Sequence, residues 1–145
     1  MLLEYRKADK TVKEFVYNEF VKMVYDYVDL DTIDINAVCK EKKSYLTKNI
    51  KNYTLIYSEG AFMGCFHLKE EESYFELEDF FVIKDRRRLG FGSNVLGKCL
   101  EQARAAKKPV MLEVYKKNLG AIRFFERYGF TILEDLGSSV RMVAR

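Results

Sequence analysis

The stretch Phe80-Phe81-Val82-Ile83-Lys84-Asp85-Arg86-Arg87-Arg88-Leu89-Gly90-Phe91-Gly92-Ser93 joins an apolar run to three consecutive arginines and a Gly-x-Gly. Phe80 to Ile83 predicts the end of a buried strand. Beyond the glycines, Val95, Leu96, Cys99, Leu100 and Ala103 recur at helical spacing. Strand, basic glycine-bearing turn and helix N-terminus together build an anion site. The first helical turn leaves backbone N–H groups without intrahelical partners, and the helix dipole favours negative charge there. Glycine lets the backbone approach a phosphate closely because no Cβ intervenes. A phosphorylated ligand is the expectation.

Outward from that turn, the chain alternates short apolar segments with amphipathic ones. Leu2 to Tyr5 is a strand candidate. Val12, Phe15, Val16, Phe20, Met23, Val24 and Tyr27 share one helical face, with Asp9 or Thr11 available as cap. Ile35 to Leu46 reads as a second helix. Tyr53 to Tyr57 and Phe62 to Leu68 are strands separated by a hairpin-length turn, and Phe75 to Ile83 is the strand entering the glycine turn. The helix after it runs to about Lys107, Pro109 breaks it, and Val110 to Val114 is a strand. Asn118 to Tyr128 is helical and stops at Gly129, a C′ glycine. Phe130 to Leu133 and Val140 to Val143 close the series. The order β-α-α-β-β-β-α-β-α-β-β is a mixed α/β (α+β) sheet of about seven strands, mostly antiparallel, with about four helices. Only the step from 75 to 114 joins parallel strands.

Bulk properties exclude several classes. The 145 residues, 48% hydrophobic and 32% charged with one proline, suit one globular domain across 1–145. The apolar stretch Ala61 to Leu68 falls far short of the ~20 residues of a membrane span. The N-terminus meets charge at once, so no signal peptide is expected. Cys39, Cys65 and Cys99 are odd in number and lack C-x-x-C spacing, which predicts neither disulfides nor a metal site. A cytoplasmic protein that binds no membrane and no nucleic acid is expected; a homodimer is compatible. Residues 1–75 carry 11 basic and 13 acidic groups, whereas 76–145 carry 14 and 9. With Asp26, Asp29, Asp31 and Asp34 close together, that asymmetry suits a cationic substrate meeting an anionic one, or equally an ordinary acidic surface loop.

Three patterns compete for the glycine turn. Gly92-Ser-Asn-Val-Leu-Gly97-Lys98 fits a P-loop, but Cys99 replaces the Ser or Thr that holds Mg²⁺, and Val95 and Leu96 belong to the helix face. A dinucleotide fingerprint needs a third glycine where Val95 stands, and it normally sits in a first βαβ unit. The third pattern, Arg87-Arg88-Leu89-Gly90-Phe91-Gly92, resembles the (Gln/Arg)-x-x-Gly-x-(Gly/Ala) pyrophosphate loop of the GNAT superfamily of acyl-CoA N-acyltransferases. Asn118-Leu-Gly-Ala121-Ile-Arg-Phe124-Phe125-Glu-Arg-Tyr-Gly129-Phe130 is similar to that family's second signature. The closing Val140-Arg-Met142-Val and the element order resemble it too, so the likeness covers nearly the whole chain.

The resemblance implies a GNAT-like fold and acyl transfer from acetyl-CoA to a primary amine, by direct attack in a ternary complex. A small-molecule acceptor is favoured because no recognition domain is appended, and no metal is required. Backbone N–H groups of Arg88, Leu89, Gly90, Phe91, Gly92 and Ser93 would hold the pyrophosphate, and the arginine side chains of the triplet, Arg87 among them, would add charge-assisted bonds. Phe81, Val82 and Ile83 would pair with the pantetheine amides like an added strand. Asn118 would hydrogen-bond the pantetheine arm, or serve as an N-cap, or both.

An alkyl ammonium with pKa near 10.4 is only about one part in a thousand free base at pH 7.4, a handicap of ~4 kcal/mol that a general base must relieve. Glu76 is the first candidate and Glu78 the second, on one strand face; Asp79 would point away unless a bulge intervenes. The acceptor loop or a water chain is the other route. His67 is a minor candidate, and Cys65 and Cys99 read as core residues. Phe125 departs from the family's tyrosine, whose hydroxyl would protonate the departing thiolate; Tyr128 reads as packing. That departure keeps an alternative open: a non-catalytic or very slow acyl-CoA-binding or protein-interaction module.

Overall fold

The computed structural model describes residues 2–83 and 90–145. Arg87, Arg88 and Leu89, assigned above to the anion turn, lie outside the described residues. Seven strands form one sheet in the order β1-β2-β3-β4-β5-β7-β6: β1 Leu3–Lys7, β2 Thr54–Ser58, β3 Ala61–Glu70, β4 Phe75–Val82, β5 Val110–Tyr115, β6 Thr131–Asp135 and β7 Ser139–Ala144. The helices are α1 Lys13–Tyr27, α2 Ile35–Asn49, α3 Phe91–Ala105 and α4 Leu119–Arg127. This is the predicted mixed α/β order. The parallel ladder expected between β4 and β5 is present at Phe75↔Val110 and Glu76↔Met111. The residues group into two compact units, Met1–His67 with Asp79–Gly92, and Leu68–Glu78 with Ser93–Arg145.

In the first unit, Asp9 accepts from the Thr11 N–H and starts a short 3-10 turn that leads into α1. Asp34 caps α2 by accepting from the Ala37 N–H at 3.1 Å. The turn between β2 and β3 places Glu59 at φ +52 and Gly60 at φ +80, the paired left-handed residues of a two-residue hairpin loop. Val12 and Val16 from the first helical face, Leu46 and Ile50 from the second, and Tyr53, Leu55, Cys65 and Phe81 from the strands form one buried cluster. Helix α2 continues three residues beyond Leu46 because Leu46 is its buried anchor, not its end.

In the second unit, Lys107 at φ +58 follows the last turn of α3. Antiparallel pairing of β5 with β7 runs from Val110↔Ala144 to Tyr115↔Ser139. Helix α4 begins at its Asn118 cap and ends before Gly129, at φ +90, as the C′ assignment requires. Val95, Leu96 and Cys99 of α3 are buried, with Val110, Leu112, Phe130 and Met142. Burial of Val95 and Leu96 removes the P-loop alternative, since those residues are helix core.

Candidate active site

Gly90 stands at φ +82, a conformation that suits glycine, and Phe91 opens α3 directly after it. Phe91 is buried, so its backbone alone is available to a ligand. Ser93, in the first turn of α3, accepts a short hydrogen bond from the Tyr128 hydroxyl. The Tyr128 ring packs against Phe124, and its polar end, not predicted from the spacing, fixes a side chain at the head of α3.

Strand β4 carries the three carboxylates. Glu76 is mostly buried and receives two hydrogen bonds from the Arg141 guanidinium of β7, Nη1 to Oε2 at 3.3 Å and Nη2 to Oε1. Burial pushes the Glu76 carboxyl above the usual glutamate range; Arg141 pulls it back in part, and Glu78 and Glu113 push it up. Asp79 does not simply alternate: it adopts φ +48, a left-handed step within the strand. Its carboxylate is buried and held by Lys42 at 2.7 Å and by the Tyr53 hydroxyl at 2.5 Å.

At the end of β4 the Ile83 N–H donates to the Met63 carbonyl of β3 at 2.8 Å. This corrects part of the expectation for Phe81, Val82 and Ile83. The Ile83 N–H is committed to β3. Phe81 shares the β3 side, where its carbonyl passes Gly64.

Asn118 is buried, and its side-chain oxygen accepts from the Ala121 N–H at 3.2 Å. The cap therefore uses the oxygen and leaves the amide NH₂ as the group for other contacts. Phe125 packs edge-on against Phe124 and Phe130 at 5.3 and 5.5 Å. His67 is buried and stacks on Tyr53 at 4.7 Å. Burial pushes the Cys99 thiol up to about 12, and the Cys65 thiol higher still, which suits core residues. Asp29 accepts from the Asp31 N–H and Asp34 caps α2. Two of the four clustered aspartates therefore have local backbone work, as in an ordinary acidic surface loop. Among the described residues, no His, Cys, Asp or Glu group is arranged to hold a metal ion, and no helix is long and apolar enough to cross a membrane.

The profile described as the acetyltransferase (GNAT) family matches residues 16–130. The chain belongs to the GNAT family. It is 35% identical over 77 residues to an uncharacterized N-acetyltransferase, MJ1207, of Methanocaldococcus jannaschii; the match spans 52% of this chain and 34% of that protein, about a third of its length. The GNAT fold is also that of PaiA N-acetyltransferase from Thermoplasma acidophilum in complex with coenzyme A, at TM-score 0.78 and 18% identity over 100% of this chain and 99% of that one. Ard1 from Thermoplasma volcanium matches at TM-score 0.66 and 20% identity, over 99% and 97%. N-acetylglutamate synthase from Neisseria gonorrhoeae, complexed with coenzyme A and L-arginine, matches at 0.67 and 17%, over 99% of this chain and 33% of that one.

Proposed function

We propose that this GNAT protein is an N-acetyltransferase that moves the acetyl group of acetyl-CoA to the primary amine of a small molecule. The observation that carries the reading is left-handed Gly90 opening straight into α3. A helix N-terminus approached through glycine offers several N–H groups to a pyrophosphate with no side chain in the way. The coenzyme A in the PaiA and N-acetylglutamate synthase structures supports the same donor. On the sequence pattern, Arg87, Arg88 and Leu89 complete this cradle. On the family resemblance the pantetheine arm would pair with β4 at Val82.

Glu76 is the proposed proton acceptor. An Arg fork takes two of the four lone-pair positions of a carboxylate, so Glu76 keeps the capacity to accept a proton. Its upward shift moves it towards the neutral range in which a general base works best. The amine nitrogen attacks the thioester carbonyl, its proton passes to Glu76 directly or through water, and the C–S bond breaks to release the thiolate. Oriented donors such as Asn118 and the head of α3 hold the donor while this happens.

The test is thiol release from acetyl-CoA over a panel of primary amines. Saturable release with intersecting initial-velocity lines is expected, abolished by Gly90→Glu and lowered about 10²–10⁴-fold by Glu76→Gln. Turnover that survives Gly90→Glu defeats the donor site; parallel lines defeat direct attack. The absent hydroxyl at Phe125 favours one second reading, a module that binds acyl-CoA without turnover. Calorimetric binding of acetyl-CoA with no amine-dependent thiol release would select it.

A further inference from the structure

Asp79 sits inside a strand at φ +48, a backbone state that aspartate tolerates better than most residues but that no regular strand uses. Its side chain is about nine-tenths buried. Three hydrogen bonds hold the carboxylate: Lys42 Nζ at 2.9 Å to Oδ1 and 2.7 Å to Oδ2, and the Tyr53 hydroxyl at 2.5 Å to Oδ2. The Lys42 ammonium lies 4.8 Å from the Phe20 ring centroid and 5.5 Å from that of Tyr45. The backbone is held as well. Cys65 donates its thiol to the Asp79 carbonyl at 3.6 Å, and the Phe81 carbonyl passes so near Gly64 that a Cβ there would lie 2.0 Å away.

Strained backbone persists only where its surroundings over-determine it, and such sites cluster where geometry serves function. Here α2 fixes the side chain and β3 fixes the main chain. A buried ion pair adds little net stability over an apolar pair of the same size, although losing one partner is costly. Stability alone is therefore a poor reason to send a lysine from the middle of α2 to one residue of β4.

We infer that Lys42 is a positioning residue for the acyl donor. Through Asp79 it sets the left-handed step in β4, and that step sets the direction in which the strand presents Val82 to the pantetheine arm. The same contacts give Asp79 the work of a strut, with both oxygens occupied. This inference rests on the acyl-CoA reading above.

The experiment is calorimetric titration of acetyl-CoA into the full chain and its variants at 10 °C, with thermal midpoints recorded for each. Lys42→Met and Asp79→Asn weaken donor binding at least tenfold, Tyr53→Phe about threefold, and Lys42→Arg restores binding to within threefold of the unaltered chain. Val24→Ala, a core truncation in α1, lowers the thermal midpoint while leaving the dissociation constant unchanged. The steady-state KM for acetyl-CoA rises in step with the dissociation constant. If Lys42→Met or Asp79→Asn fails to fold, Tyr53→Phe and Lys42→Arg decide the matter. Equal affinity in the unaltered chain and Tyr53→Phe or Lys42→Met, whatever their midpoints, overturns the positioning role and leaves the donor reading intact. An unaltered chain that binds no acetyl-CoA overturns both.

Discussion

Arg141 reaches from β7 to hold both carboxylate oxygens of Glu76 on β4. The pair makes opposite predictions for two neighbours. Removing Arg141 withdraws the pull that keeps the Glu76 carboxyl down, so in Arg141→Met the acid limb of kcat/KM moves to higher pH. Removing a negative charge with Glu78→Gln moves that limb to lower pH. Shifts of the same sign in both variants would show that another group titrates. Stability has its own sign. Glu76 protonates more readily folded than unfolded, so its contribution is complete below the ordinary glutamate value and is lost as pH rises through the raised one. Urea unfolding of the unaltered chain against pH, compared with Glu76→Gln, reads that slope.

The same substitution at two glycines should change stability in opposite directions. At Gly64 a Cβ would lie 2.0 Å from the Phe81 carbonyl oxygen and 3.0 Å from the adjoining backbone carbons, atoms that cannot swing aside. Gly64→Ala is expected to cost ~3–5 kcal/mol. At Gly97, in the interior of α3, a Cβ meets nothing within 4 Å. Gly97→Ala should stabilise by ~0.5–1 kcal/mol through the entropy of the unfolded chain. Chemical denaturation of both variants checks the contrast.

Tyr128→Phe deletes the hydroxyl that donates to Ser93 and leaves the ring against Phe124 in place. Loss of one such bond at a partly buried site is worth ~1 kcal/mol. The KM for acetyl-CoA should rise about fivefold with kcat little changed. A fall in kcat at constant KM would instead place Tyr128 in the chemistry.

Phe125→Tyr adds a phenol to a half-buried ring that already packs against Phe130. If thiolate departure limits turnover, the variant gains rate at every pH below the phenol's own pKa of about 10, and the gain fades above it. An unchanged rate at every pH would mean that thiolate departure needs no acid here.

The fold was legible because its signals are local. Apolar spacing in α1 and α3, the Asn118 cap and the Gly129 stop each act within a few residues of chain, and each appears where the spacing put it. The family resemblance rested on the same local signatures. The site was legible only in outline. Lys42 is one of many lysines in a charged helix, and Arg141 lies 65 residues from Glu76, so nothing nearby in sequence marks either as a carboxylate partner. The left-handed backbone at Asp79 and the partners of its carboxylate have no local signature either. Tyr128 looked like packing because its ring does pack; the hydroxyl finds Ser93 35 residues away, which no periodicity reports.

A protein that handles an activated thioester lives with a reagent that also labels its own surface. Exposed lysine amines react slowly with such thioesters whenever a small fraction is uncharged. The Lys42 amine is different: aromatic rings lie against it, the Asp79 carboxylate takes its hydrogen bonds, and its side chain is only 13% exposed. After long storage with acetyl-CoA, a mass-spectrometric map of acylated lysines would fill in around the surface and leave position 42 blank. The clamp on β4 thus doubles as chemical armour, guarding one amine from the cargo of its own site.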